Sequence, residues 1–125
     1  MATTVNKQST RIDYSQMKED NVSDTTARND VFGKSGKLYF LYIGHDGSGT
    51  SVFDYLKLYD TKAEVTVGTD APDYIFSAES GSKEIYHFPN GLTFNNGLAF
   101  NASNAGGTAA GGSPSADLDI QMVFK

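Results

Sequence analysis

Residues 116–124, Ala116-Asp117-Leu118-Asp119-Ile120-Gln121-Met122-Val123-Phe124, decide the fold class. Leu118, Ile120, Met122 and Phe124 recur at every second position, with Asp117, Asp119 and Gln121 between them. Successive side chains of a strand point to opposite faces, so this period sets an apolar face inward and a polar face outward. The same reading extends back along the chain. Lys37-Leu38-Tyr39-Phe40-Leu41-Tyr42-Ile43 is nearly continuous apolar, as suits a strand covered on both faces or buried at an interface. In the run Val52 to Asp60, Leu56 and Leu58 share one face while Tyr55, Lys57 and Tyr59 share the other. The leucine face is expected to meet the core.

Glycine, proline and asparagine punctuate these runs. Gly44-His45-Asp46-Gly47-Ser48-Gly49-Thr50 reads as a loop, and Ala63-Glu64-Val65-Thr66-Val67 as a short β-prone run. Tyr74-Ile75-Phe76 reads as a strand, followed by a turn at Glu79-Ser80-Gly81-Ser82. The strand from Lys83 to Phe88 is expected to stop at Pro89-Asn90-Gly91, and Leu98-Ala99-Phe100 to resume after Asn95-Asn96-Gly97. The stretch Asn101 to Pro114, with no large apolar anchor and no charge, reads as a long flexible loop. No segment of the core region carries a helical period over ten or more residues. Short strands at this spacing indicate an all-β fold, an antiparallel β-sandwich or barrel, with a jelly-roll-like sandwich among the forms it can take.

The chain divides in composition near residue 30. Residues 1–30 hold no Gly and no Pro, whereas all 13 Gly lie beyond residue 32. Apolar side chains in this stretch are scattered among charges, and such a segment has weak reason to fold alone. The expected organisation is an extended or partner-ordered arm over residues 1–30 and a β-sandwich domain over residues 31–125. Ile12, Tyr14 and Met17 are the candidate anchors of the arm.

At 125 residues and 13.4 kDa the chain has room for one domain. Ten Lys and Arg against 15 Asp and Glu give a net charge of -5, which argues against a nucleic-acid or membrane surface. Without Cys there is no thiol chemistry, and two His leave little for an imidazole metal site. His45 beside Asp46 reads as a solvated loop histidine, since no nucleophile elbow accompanies it. His87 reads as a partly buried, hydrogen-bonded strand residue. Asp60, Asp70 and Asp73 read as ordinary turn caps rather than calcium ligands. The pairs Gly106-Gly107 and Gly111-Gly112 lack the Lys-Ser/Thr and the helix of a phosphate loop. No catalytic, cofactor-binding or metal residue is therefore assigned, and a non-enzymatic protein without cofactor is expected.

The aromatic load is more informative: 7 Tyr, 8 Phe and no Trp. A strand in a two-layer fold has one inward face, and Tyr favours interfaces. Tyr39, Tyr42, Tyr55 and Tyr59 are the candidate residues of an oligomer interface on two strands.

Tyr55-Leu56-Lys57-Leu58-Tyr59-Asp60, then Val67-Gly68-Thr69-Asp70-Ala71-Pro72, then the stretch from Phe88 to Phe100, resemble small virion structural proteins of tailed bacteriophages. Gly106-Gly107-Thr108-Ala109-Ala110 and the terminal strand continue the resemblance, which spans about residues 37–125. It implies a β-sandwich serving as a capsid decoration or cement protein on the outer capsid surface of the virion. The implied partners are the major capsid protein and further copies of the chain, and this shell-binding role together with the surplus tyrosines gives a closed trimer as the expected form. The alternative is a receptor-binding or carbohydrate-binding module of a head or tail appendage.

Overall fold

The computed structural model describes residues 14–48 and 52–125. Seven strands build it: β1 (Ser15–Val22), β2 (Gly36–His45), β3 (Phe53–Asp60), β4 (Tyr74–Glu79), β5 (Lys83–Phe94), β6 (Leu98–Ser103) and β7 (Leu118–Phe124). One sheet has the order β1-β7-β2-β5 and the other β4-β3-β6, with every pairing antiparallel. The two sheets pack face to face as a β-sandwich.

The terminal strand behaves as its alternation requires. Leu118, Ile120, Met122 and Phe124 are buried, while Asp119, Gln121 and Val123 are partly open on the outer side. Burying each such side chain contributes about 1.5–3 kcal/mol. Leu38, Leu41 and Ile43 of β2 and Leu56 and Leu58 of β3 face the same core, as do Phe94, Leu98 and Phe100. The Phe32 ring stacks on Phe124 at 4.5 Å, and Phe76 packs against Tyr86 at 4.9 Å where the two sheets meet beside β4 and β5. Much of the aromatic load is therefore absorbed inside one copy of the chain.

Four sequence expectations are corrected. Residues 15–22, placed in the arm, form β1 and pair with β7 from Ser15↔Phe124 to Val22↔Leu118. A clean apolar alternation was not needed, because an edge strand has only to supply Met17 and Val22 to a core built by others. Val22 is fully buried, Met17 packs against the core, and Tyr14 meets Tyr39 edge-on at 5.7 Å. Ile12 lies outside the described residues. The chain then reaches β6: the Arg28 amide donates to Phe100 O at 2.8 Å, the Phe100 amide to Arg28 O at 3.0 Å, and the Val31 amide to Leu98 O at 2.8 Å. The segment 28–31 thus lies along the free edge of β6.

The second correction concerns Pro89-Asn90-Gly91, which bends β5 without ending it. Phe40 is opposite His87 while Leu38 is opposite Leu92, so the extra residues bulge and pairing resumes. Gly91 carries φ 76°, a backbone state that side chains disfavour, and this lets the bulge close. Third, Ala63 to Val67 forms no strand. Val65 instead plugs against Tyr59 and Ala99, and its amide donates to Asn29 Oδ1 at 2.9 Å. Fourth, Asn101-Ala102-Ser103 continues β6 and is fully buried, so the loop starts only at Asn104.

Candidate functional site

Three regions and a charged clasp carry the side-chain chemistry of the described residues. The first is the outer face of the β4-β3-β6 sheet. Lys57 and Tyr59, expected to face outward, do so, yet both are buried: Lys57 is 1% exposed. The loop after β6 folds back over Lys57, while Val65 and Val67 pack against Tyr59. Lys57 Nζ donates to Ala109 O at 2.7 Å, Ser103 Oγ donates to Ala110 O at 2.8 Å, and the Asn104 and Gly112 amides bond Gly112 O and Asn104 Oδ1. This is an ordered flap, held by hydrogen bonds that its Ala and Gly residues offer through backbone alone. Burial pushes the Lys57 ammonium below lysine's ordinary value. Tyr59 OH donates to Asn101 Oδ1 at 2.8 Å, and burial, with the Asp70 charge nearby, pushes its phenol up.

At the end of this sheet lies a cleft of about 440 Å³ lined by Tyr59, Asp60, Glu64, Thr66, Asp70 and Asp73 among others. Asp60 accepts the Asn95 and Asn96 amides, Asp70 the Thr66 amide and Asp73 the Asp60 amide. The aspartates act as caps of adjoining turns. Among the described residues no group of three His, Cys, Asp or Glu side chains could hold a metal ion.

The second region joins the two sheets at the opposite end. His45 is buried, a correction to its reading as a solvated loop residue, and its Nε2 lies 2.6 Å from Asp54 Oδ2 with both side chains fully enclosed. Asp54 also accepts the Ser115 amide at 3.0 Å and Ser115 Oγ at 2.6 Å. The Gly47 amide donates to His45 Nδ1 at 3.0 Å. These are the residue types of a hydrolytic triad in the wrong order, for the serine bonds the carboxylate and the second ring nitrogen meets a backbone amide. No activated nucleophile results. What results is a polar tie between β2, β3 and the segment before β7. A signal for it exists in the sequence: His45 shares the parity of Leu41 and Ile43, and Asp54 that of Leu56 and Leu58, so both point inward.

The third region is the outer face of the β1-β7-β2-β5 sheet, where no part of the described chain lies across. The register sets Gln16, Val123, Phe40 and His87 in one row and Lys18, Gln121, Tyr42 and Ile85 in the next. Phe40 and Tyr42 are half-buried, Ile85 is 58% exposed, and His87 is exposed against the Phe40 ring at 5.3 Å rather than buried and hydrogen-bonded. Of the candidate interface tyrosines, Tyr39 and Tyr42 belong to this sheet and are half-buried. Tyr55 and Tyr59 belong to the other sheet, where Tyr55 lies beside Gly106 of the flap and Tyr59 is enclosed. The structure therefore does not bring the four together on one surface.

A charged clasp closes the side near β1. Arg28 reaches Glu19 with Nε and Nη2 at 2.8–3.2 Å and Asp24 with Nη1 at 2.9 Å. The guanidinium, with the Thr26 amide, holds the Asp24 carboxyl below its ordinary range. No helix among the described residues is long and apolar enough to cross a membrane. No family model matches the chain, and no match is found among curated proteins or solved structures.

Proposed function

We propose that the chain is a non-enzymatic structural protein of a tailed-bacteriophage particle, a jelly-roll module that decorates the capsid and reinforces the shell. One observation carries the reading: the strand pairing is nested. With the segment 28–31 counted as an added strand, first pairs with last (β1 with β7), second with seventh (28–31 with β6), third with sixth (β2 with β5) and fourth with fifth (β3 with β4). Nesting of this kind supports a jelly-roll reading, one long hairpin rolled into two sheets, an architecture found in viral capsid and lectin domains and in cupins. Fold alone does not select a function. The resemblance over about residues 37–125 supports the virion branch, and the open aromatic face with Tyr39, Phe40 and Tyr42 offers a surface for shell or sister subunits.

A closed trimer in which each copy binds weakly would hold the shell by avidity. The test is composition and stability of purified particles from the source of this sequence, with and without the protein. Stoichiometric copies on the particle surface, and loss of particle stability in their absence, are expected. Absence from particles would refute the reading, and binding to a glycan array that free sugar competes away would replace it with the receptor-binding alternative.

A further inference from the structure

The His45 ring is committed at both nitrogens. An ionised carboxylate only accepts, so the nitrogen 2.6 Å from Asp54 Oδ2, Nε2, carries the proton. Nδ1 accepts the Gly47 N–H at 3.0 Å and therefore holds a lone pair. The surroundings thus define a neutral imidazole in its Nε2–H tautomer. Only glycine permits this approach. A Cβ at position 47 would stand 2.7 Å from His45 Cε1, 3.0 Å from Nδ1 and 3.2 Å from Ala116 Cβ.

We propose that His45 is a proton-operated latch on the Asp46–Ser48 turn: acid frees the turn while the two sheets stay joined. A proton arriving at Nδ1 faces the Gly47 N–H, and two donors cannot share that position, so the amide must withdraw. The opposite side of the ring is not disturbed. Nε2–H keeps Asp54 and gains an ion-pair partner, and Asp54 retains both bonds from Ser115.

The charged groups that bear on the ring are Asp54 from β3 and Asp46 from the turn itself. Asp117, just before β7, and Asp119, within it, act on Asp46. Partial desolvation, with the hydrogen bond and charge of Asp119, holds the Asp46 carboxyl above the usual carboxylate range, and the charge of a protonated His45 opposes this. The carboxyl pair is the competing acid trigger, so the experiment must separate it from the histidine.

Nuclear magnetic resonance of the full chain, from about pH 7.5 to about pH 4.5, spans the range in which histidine changes charge. The expected result is a proton on Nε2 alone at neutral pH. As the second proton reaches Nδ1, protection of the Gly47 amide against exchange, corrected for intrinsic rates, should fall about tenfold. The ladder amides of Leu41 and Ile43 should keep theirs. His45→Gln supplies one donor and one acceptor without titrating, and its turn should stay latched in acid. Gly47→Ala should free the turn already at neutral pH. The proposal is overturned by a proton on Nδ1 at neutral pH, by Gly47 protection that acid leaves unchanged, or by a turn still protected in Gly47→Ala. Equal acid release in His45→Gln would assign the switch to Asp46 and Asp119, and joint loss at Leu41 and Ile43 would mean unfolding. Should His45→Gln fail to fold, the wild-type titration decides: Gly47 release that follows protonation of Nδ1 supports the latch, and release that follows the Asp46 carboxyl instead overturns it.

Discussion

The two outer faces of the sandwich are treated in opposite ways. On the β4-β3-β6 sheet the chain covers its own surface, enclosing Lys57, Tyr59 and Asn101 beneath the flap and the Val65 plug. On the β1-β7-β2-β5 sheet Phe40, Tyr42 and Ile85 are left to the outside. A covered face contributes to the stability of one copy, whereas an open apolar face contributes less to it. The difference separates a face closed by its own chain from one on which the proposed association would act.

The sharpest way to break this division is to remove residues 1–30. Without β1 and the Arg28 edge segment, β7 and β6 become bare edges and the bed of Val22 is lost. The expected outcome is loss of cooperative folding, seen as the absence of a thermal transition by circular dichroism. A chain starting at Tyr14 keeps both edge segments, and its thermal transition tests whether they suffice.

On the covered face, Tyr59→Phe leaves Asn101 Oδ1 buried without its donor and should cost about 1–3 kcal/mol in denaturant unfolding. Arg28→Ala, which opens the half-exposed clasp to Glu19 and Asp24, should cost about 1 kcal/mol by the same measurement. Lys57 supplies a pH dependence. Its folded-state value is lowered, so between that value and lysine's ordinary one the unfolded chain binds more protons and stability rises with pH. Lys57→Met should flatten that alkaline slope, measured as unfolding free energy against pH up to about 10. On the open face, Ile85→Ser should change stability by no more than about 0.5 kcal/mol and should weaken the proposed self-association, read by sedimentation equilibrium.

The sequence made the open sheet more legible than the covered one. Period-two alternation in β7 and the apolar run in β2 give their elements directly, because each strand there buries the face its pattern marks. The same rule assigns the outward face of β3 correctly, but it cannot see that a distant loop returns over that face. The flap binds through the carbonyls of Ala109 and Ala110, which leave no trace in side-chain type. Residues 15–22 were unreadable for a related reason: their strand is specified by β7, and only Val22 is fully buried on their side. The His45 and Asp54 tie was accessible through parity, and the glycines around His45 masked it.

The difference between the two faces can be measured directly by amine labelling of the folded full-length chain, read residue by residue by mass spectrometry. Lys18, Lys37 and Lys83 should label at the rate of solvated lysines, while Lys57, 1% exposed and bonded to Ala109 O, should label only after unfolding. Labelling of Lys57 in the native protein as fast as Lys83 would mean that the flap does not cover the sheet, and would contradict the account.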